Sequence, residues 1–174
     1  TLQADSAYVY DGFGYDRGHL APSADFRWSE QALSESYYYS NMSPQLAEFN
    51  RGIWSDLEGT LRAYLFRNPN TQLFVFTGPV LRPGLPVIPR AKNKVAIPEQ
   101  FWKIALDVQN RKAIAFIVPQ KTGGYPLASF ATSIDEVEKI TGIDFFAGME
   151  NGLEETLEKQ IDKSSFLTTI ASGD

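Results

Sequence analysis

The amino-acid sequence predicts an α+β fold with a mixed or antiparallel central sheet flanked by helices. Three kinds of pattern support this class: apolar runs of strand length at residues 72–77, 101–108 and 113–118, a long amphipathic helical pattern at 48–67, and a helix-capping sequence beginning at Ser133. The chain has 174 residues, of which 43% are hydrophobic. We therefore expect a single domain over residues 1–174 with a sizeable core.

The N-terminal part of the chain predicts short elements. Aromatic residues at loose alternation within residues 1–13 indicate an irregular or edge segment. A short strand is expected within residues 15–22 and should lead into a loop, because Pro22 cannot donate to a strand ladder. Residues 29–35 predict a short helix. Three consecutive tyrosines at 37–39 predict a strand whose rings belong to the core rather than to a base-stacking surface.

The strongest helical pattern spans residues 48–67, and we expect one helix there that Pro69 ends. On a helical wheel its apolar residues fall in a stripe about 100° wide; they are Ile53, Trp54, Leu57, Leu61, Tyr64 and Leu65. Asn50 projects from the same side at the start of the helix. Glu58 and Arg62 lie one turn apart along one edge of the stripe. At this edge, polar groups can face a cleft while the stripe packs on a sheet.

The remaining elements follow from the same kinds of pattern. Residues 72–77 form a near-continuous apolar run, which predicts a central strand buried on both faces. The two later apolar runs predict strands joined by a short polar hairpin turn. Ser133 begins a helix that Gly142 ends. A terminal helix is expected at residues 150–161, and residues 172–174 are expected to fray.

Composition excludes several classes of site. The chain contains no cysteine and one histidine, which rules out disulfides and argues strongly against a tetrahedral structural zinc. No run of about 18 apolar residues is present, so no membrane span is predicted. The net charge of −5 argues at first against a nucleic-acid partner. However, residues 1–130 carry 13 Lys+Arg against 11 Asp+Glu, whereas residues 131–174 carry 3 against 10. The acidity is therefore a C-terminal feature, as expected of a solvated helix face.

The polar residues best suited to catalysis lie in two stretches. The single histidine, His19, is in the first, and an unperturbed imidazole both accepts and donates protons near neutral pH. Arg17 beside it can form two hydrogen bonds to a phosphate, and Gly18 lets the backbone approach a ligand closely. The second stretch adds amides, a carboxylate and further arginines; its candidate residues are Asn41, Asn50, Glu58 and Arg62, whereas Arg51 is expected to be a solvated charge or to make a weak backbone contact.

These stretches resemble the DNA/RNA non-specific endonucleases of the ββα-metal class, the group that includes endonuclease G. The matching blocks are GYDRGHLAPSADF, SNMSPQ, FNRGIW and LE, followed by FTGPVL, KVAIPEQFWKIAL, AFIVPQ and SIDEVEKITGIDFF. Together they cover roughly residues 14–146. The resemblance implies a ββα-metal active-site motif and a Mg²⁺-dependent, sugar-non-specific endonuclease. Such an enzyme would hydrolyse DNA and RNA to 5′-phosphate products, and Mn²⁺ could substitute for Mg²⁺.

The resemblance also implies a role for each matching residue. His19 is the general base that takes a proton from the attacking water. Asn50 is the direct metal ligand, and Glu58 holds metal-bound water. Asn41 supports the site near the histidine. Arg17 and Arg62 would neutralise the charge of the phosphate.

One departure from the family pattern leaves an alternative open. The family commonly carries another functional arginine upstream of the DRGH block, but residues 1–12 contain no Lys or Arg. Either the chain as given lacks the first strand of the domain, or this member functions without that group. The alternative function is a catalytically weakened or inactive nucleic-acid-binding module of the same fold. An unrelated Ser–His hydrolase is disfavoured, since no Gly-x-Ser-x-Gly sequence is present.

The expected partners are DNA and RNA. The sequence predicts neither a preference between them nor whether an inhibitor protein or a second copy of the chain binds. The compartment also stays open, with secretion or the periplasm expected for a bacterial protein and an organelle for a eukaryotic one.

Overall fold

The computed structural model describes residues 12–168. The expectations for residues 1–11 and 172–174 lie outside this part of the chain. The chain forms two compact units. Of the described residues, 12–55, 77–101 and 119–123 form the first unit, and 56–76, 102–118 and 124–168 form the second unit. Among residues 12–168, no helix has the length and apolar character needed to cross a bilayer.

The secondary structure confirms the predicted α+β class. The strands are β1 (Asp16–His19), β2 (Met42–Gln45), β3 (Phe74–Pro79), β4 (Gln100–Asp107), β5 (Lys112–Pro119) and β6 (Ala131–Thr132). The helices are α1 (Glu30–Glu35), α2 (Ala47–Phe49), α3 (Ser55–Arg67), α4 (Ile134–Thr141), α5 (Asn151–Glu158) and α6 (Lys163–Phe166). A two-stranded antiparallel sheet pairs β1 with β2, and a four-stranded sheet has the order β3-β4-β5-β6.

The pairing of β1 with β2 places the DRGH block in a defined register. Asp16 lies opposite Gln45, Gly18 opposite Ser43, and His19 opposite Met42. A Cβ atom built on Gly18 would lie 2.1 Å from Cδ of Gln45, whose side chain is fully buried. Gly18 is therefore required by space, because the Gln45 side chain occupies the volume that any larger residue at position 18 would need.

The helix predicted over residues 48–67 is wrong in its first part. The chain forms the three-residue α2, then a π-helical turn at Asn50–Trp54, and only then the continuous α3. Gly52 departs from helical geometry inside the turn, with φ −104° and ψ −114°. A helical wheel assumes constant geometry, so it could not show that this break re-orients Asn50 relative to the helix that follows. π-helical turns of this kind occur frequently at functional sites.

An aromatic cluster forms the core of the first unit beneath this turn. The rings of Phe49 and Trp54 lie 5.2 Å apart, and each also packs on Phe101, at 5.3 and 5.6 Å. All three side chains are buried. Because Trp54 belongs to the π-helical turn itself, the position of the turn is set by core packing.

In the four-stranded sheet, the prediction of a central β3 is wrong. The two strands predicted as a hairpin, β4 and β5, are confirmed and are the interior strands, buried along almost their whole length. Instead, β3 lies at the edge of the sheet that the described strands form, and 42% of Phe74 and 44% of Val75 is exposed. A continuous apolar run indicates strand formation, but it does not show whether neighbouring strands cover both sides.

Among the shorter elements of the N-terminal part, one prediction is confirmed and one is wrong. The predicted α1 is confirmed, and Ser29 caps it by accepting a hydrogen bond from the Ala32 N–H. The strand predicted at residues 37–39 is wrong: this segment forms a turn and the start of a 3₁₀ helix at Tyr39–Asn41, and two of its tyrosines are exposed rather than core. Hydrogen bonds to the end of α1 compete with strand pairing here, since the Tyr38 N–H donates to the Glu35 carbonyl.

Towards the C-terminus, α4 is confirmed. Ser133 accepts a hydrogen bond from the Glu136 N–H, and Gly142 ends the helix with φ 70°. The terminal helix predicted at residues 150–161 is shorter, since α5 ends at Glu158, and a further short helix, α6, follows.

A buried carboxylate organises the β4–β5 turn in the second unit. Asp107 is fully buried and accepts hydrogen bonds from the Tyr64 hydroxyl at 2.6 Å and the Thr71 hydroxyl at 2.7 Å. It also accepts hydrogen bonds from the backbone N–H and the side-chain amide of Asn110, at 3.0 and 2.8 Å. Four donors thus converge on one carboxylate and join α3, the loop after it and the hairpin turn.

We expect Asp107→Asn to lower the free energy of unfolding by about 1–3 kcal/mol, because an amide nitrogen cannot accept and would face donors that then lack an acceptor. Denaturant unfolding measures the change. Tyr64→Phe is the matched control. It removes one of the four donors and should cost only about 0.5–1.5 kcal/mol. Equal stability of Asp107→Asn and the parent would show that the network does not support the hairpin.

Candidate active site

The four residues of β1 divide between two faces, because successive side chains of a strand point in opposite directions. Arg17 and His19 share one face, on which Arg17 is exposed and His19 half-buried. Asp16 and Gly18 share the other face, where the β2 residue Gln45 covers Gly18. The DRGH block therefore directs a base and a cation to one side and a carboxylate to the other.

The imidazole of His19 is held by packing rather than by hydrogen bonds. The ring of Tyr37 packs edge-on against it, with centroids 4.7 Å apart and an interplanar angle of 89°. The Trp54 indole N–H donates to the His19 backbone carbonyl at 3.4 Å. Within residues 12–168, the buried Nε2 atom of His19 has no hydrogen-bond partner. That nitrogen is not committed to any described protein group.

The protonation state of His19 suits a proton acceptor. Partial burial lowers the pKa of the imidazole below its ordinary value of 6.5, and the positive charge of Arg17 lowers it further. The ring is therefore predominantly neutral at pH 7. A neutral imidazole retains one lone pair that can take a proton.

Asn41 acts as a clamp between two backbone segments. Its side-chain oxygen accepts from the Ala21 N–H at 2.9 Å, and its amide nitrogen donates to the carbonyls of Ala21 and Ser36, each at 2.8 Å. Ala21 lies two residues after His19, and Ser36 lies directly before Tyr37. The Asn41 side chain thus fixes both segments that carry the two packed rings, and its hydrogen-bonding groups are used in doing so.

Asn50 is oriented by Asp16. The Asn50 amide nitrogen donates to Asp16 Oδ2 at 2.9 Å, and Arg51 donates to both oxygens of the same carboxylate, at 2.9 and 2.8 Å. A carboxylate only accepts, so the amide atom facing Asp16 must be the nitrogen. Burial would raise the pKa of Asp16, but the hydrogen bonds from Arg51 and Asn50 and the charge of Arg51 outweigh it, so the pKa lies below 3.8. The carboxylate is ionised and the Asn50 oxygen points away from it.

This orientation fits a hard divalent cation. The Asn50 amide oxygen is the kind of ligand that Mg²⁺ accepts, and Mg²⁺ usually keeps several of its own waters and takes few protein ligands. Asp16 would then hold the ligand in place from behind. The donor set is compatible with the ion that the resemblance implies.

The second unit contains two further groups of carboxylates close enough to hold a cation. They are Asp135, Glu138 and Glu158, and Asp144, Glu154 and Glu158. Burial and the surrounding negative charges raise the pKa of Glu158 to about 7. None of the residues predicted for the site belongs to these groups.

The structure places four predicted site residues together in the first unit, namely Arg17, His19, Asn41 and Asn50. Glu58 and Arg62 lie on α3 within the second unit, one turn apart and both half-buried. The half-burial of both side chains agrees with the edge position that the helical wheel predicts.

Three contributors were missed by the sequence reasoning. Asp16 and Arg51 orient Asn50, and Tyr37 packs on His19. Arg51 looks like a solvated charge on a helical wheel, and only the π-helical turn places it beside Asp16. Asp16 could have been suspected from its place in the DRGH block. A carboxylate directly before an arginine and three residues before a histidine can accept hydrogen bonds from other groups of the site.

Comparison with known proteins identifies the family of this chain. The family profile for DNA/RNA non-specific endonuclease matches residues 2–152. Nuclease C1 of Cunninghamella echinulata var. echinulata is 37% identical over 150 residues, covering 79% of this chain and 59% of that protein. Mitochondrial endonuclease G of Homo sapiens is 31% identical over 150 residues, covering 78% of this chain and 50% of that protein.

A solved structure is also similar. The crystal structure of an EndoG/EndoGI complex, described as showing the mechanism of EndoG inhibition, matches with a TM-score of 0.67 and 27% identity. The match covers 84% of this chain and 65% of that one.

The chain spans 44–59% of the length of nuclease C1, endonuclease G and other curated relatives, which include mitochondrial nucleases. On the extent of the profile match and on these relatives, the chain belongs to the DNA/RNA non-specific endonuclease family.

Proposed function

We propose that residues 1–174 form a nuclease domain that hydrolyses phosphodiester bonds of DNA and RNA to 5′-phosphate products, with a divalent cation, Mg²⁺ or Mn²⁺. The observation that carries this proposal is the state of His19. Its imidazole is predominantly neutral at pH 7, is half-buried, and lies on the same strand face as Arg17. Family membership supplies the reaction class.

In the proposed mechanism, His19 accepts a proton from the attacking water. Tyr37 and the Trp54 N–H hold the ring and its backbone while the proton moves. Arg17, exposed on the same face, binds the phosphate and offsets its charge. Asn41 does not touch the substrate; it keeps the segments carrying His19 and Tyr37 in register. When bound at the Asn50 oxygen, the cation would supply positive charge opposite the developing charge on the phosphate.

Glu58 and Arg62 enter the proposal through family membership. Glu58 would hold a water of the cation, and Arg62 would add a second positive charge for the phosphate. Glu58 follows Asn50 by eight residues along the chain, and Arg62 follows Glu58 by one helical turn. An inhibitor protein is also a proposal for this chain, since the similar solved structure contains EndoG with an inhibitor.

Contacts to phosphate and sugar carry little base information. The charged groups described in the first unit are those of a phosphate site, so we propose that cleavage is not sequence-specific. The alternative of an inactive binding module of the same fold predicts binding of the same polymers without turnover. Plasmid nicking with Mg²⁺ and with EDTA separates the two.

His19→Ala should reduce plasmid nicking by about 10²–10⁴-fold, because a positioned general base contributes that much to proton transfer. Nicking rates and a thermal melt of the same sample give the comparison. Added imidazole should restore part of the rate by replacing the lost base. Near-normal nicking in a folded His19→Ala protein would remove His19 from the mechanism.

The pH dependence of kcat/KM should report the lowered pKa of His19. Activity requires the neutral ring, so the rate should rise with pH and level off above a midpoint below 6.5. Arg17→Gln removes a positive charge that lowers this pKa, so the midpoint should move upward, towards 6.5, in addition to any loss of rate. Arg27→Gln, an exposed arginine outside the site, is the matched control and should leave the midpoint in place. An unchanged midpoint in Arg17→Gln would show that the titration of a group other than His19 limits kcat/KM at acid pH.

Glu58→Gln should weaken metal affinity or activity by about 10–100-fold with little change in melting temperature, because it keeps the side-chain shape and removes the charge that orients water. The readout is the Mg²⁺ dependence of plasmid nicking. Asp56→Asn makes the same kind of change at an exposed position of α3 and should behave like the parent. If Glu58 contributes only to the helix surface, its substitution should cost no more than about 0.5 kcal/mol of stability and leave the metal dependence unchanged.

A further inference from the structure

The tyrosines at positions 37–39 have different surroundings, although they are consecutive in sequence. Tyr39 packs against buried isoleucines of the first unit. Tyr37 instead contacts the imidazole of His19, and 54% of its surface stays exposed. One tyrosine of this run therefore contributes to a hydrophobic core, whereas another borders the candidate site and offers a partly open aromatic ring.

The contact with His19 places Tyr37 on the face of β1 that also carries Arg17. The side chains of Arg17 and His19 share this face because side chains alternate along a strand. The rings of Tyr37 and His19 meet edge-on with their centroids 4.7 Å apart, so the tyrosine ring lies beside the imidazole. This face therefore presents an exposed cation, a half-buried imidazole and a partly exposed aromatic side chain.

The backbone that carries Tyr37 is fixed by hydrogen bonds. The preceding residue, Ser36, is buried; its hydroxyl donates to the Leu33 carbonyl at 2.7 Å, and its carbonyl accepts from the Asn41 amide at 2.8 Å. The Tyr37 N–H itself donates to the Ser34 carbonyl at 3.2 Å. A side chain held on an ordered backbone loses less conformational freedom when a ligand packs on it, so more of the contact energy appears as affinity.

Tyr37 lies close to the bond that the proposed mechanism cleaves. A group that takes a proton from water lies about 2.6–3.2 Å from that water. In a reactive arrangement the water lies about 3–3.5 Å from the phosphorus. The phosphorus is then within about 7 Å of the accepting nitrogen of His19. The Tyr37 ring, whose centroid lies 4.7 Å from that of His19, is within the same reach. A nucleotide next to the bond can therefore contact this ring.

We infer that Tyr37 is a stacking surface for an unpaired base next to the bond being cleaved, so that single strands are cleaved in preference to duplex. The inference rests on the proposed function. Every base has an aromatic face, so stacking on a side chain tolerates all four bases. In an intact duplex, neighbouring base pairs cover both faces of a base, and exposing one face requires unstacking. Tyr37 therefore adds affinity for unpaired strands without reading their sequence.

The test is the pattern of cleavage along a single strand. The probe is an end-labelled single-stranded DNA in which a stable abasic analogue replaces one nucleotide, and the unmodified strand is the reference. The parent protein should cut a bond beside the abasic position about 5–150-fold less often, relative to distant bonds, because stacking of one base contributes about that factor. All bonds of a strand compete for the same protein. A change in how His19 is held therefore affects them alike and cancels in the ratio.

Variants at position 37 separate the ring from the rest of the side chain. Tyr37→Leu should cut bonds beside the abasic position as often as distant ones, since it has no ring to stack on. Tyr37→Phe keeps the ring and should keep the parent pattern. Tyr125→Leu makes the same change at an exposed tyrosine of the second unit and is the matched control, which should also keep the parent pattern. In a mixture of labelled single strand and duplex, Tyr37→Leu should lose most of the parent's preference for the single strand.

Failure of this inference and failure of the proposed function give different results. Uniform cutting of the abasic strand by the parent overturns the inference while leaving the nuclease proposal intact, and this result does not depend on the folding of any variant. A parent-like pattern in folded Tyr37→Leu also overturns it, since Tyr37 would then only support His19. If the parent cleaves neither strand with Mg²⁺ or Mn²⁺, the proposed function itself fails and the inference fails with it.

Discussion

The arrangement of the first unit depends on the carboxylate of Asp16. Strand β1 and the π-helical turn are separated by about thirty residues of sequence, and Asp16 joins them through hydrogen bonds from Asn50 and Arg51. One ionised group therefore fixes which atom of the Asn50 amide is available and connects the turn, which core packing positions, to the strand that carries His19. The indole hydrogen bond from Trp54 to the His19 carbonyl makes a second connection between the same two elements.

In the proposed mechanism, positioning and chemistry are assigned to different side chains around that connection. Asn41, Trp54 and Tyr37 hold His19 through backbone hydrogen bonds and ring packing. His19 and Arg17 lie on one face of β1, where Arg17 is exposed and His19 half-buried. The division is physically sensible, because a catalytic group that also supports the fold cannot change its protonation state without a cost in stability.

Local patterns predicted much of this molecule, and their failures share a cause. Helix α4, the β4–β5 hairpin and the edge position of Glu58 follow from spacing within one segment. The break at Gly52, the edge position of β3 and the exposure of Tyr37 depend on what lies across space from each segment. The candidate site residues could be selected from the sequence because the blocks that contain them resemble those of a known family. By contrast, the residues that the sequence reasoning missed act only through partners far away along the chain.

Glu158 in the second unit responds to acid in the opposite direction from His19 in the first unit. Burial and the negative charges of Glu138, Glu154, Asp135 and Asp144 raise the Glu158 pKa from 4.5 to about 7, so the folded state takes up a proton before the unfolded chain does. That uptake contributes stability fully below pH 4.5 and loses it as pH rises through about 7. His19 behaves inversely: its folded pKa lies below 6.5, so protonation below that pH favours unfolding. Mild acidification would thus stabilise the folded state through Glu158, while it protonates His19, the proposed base, and destabilises the folded state through that residue.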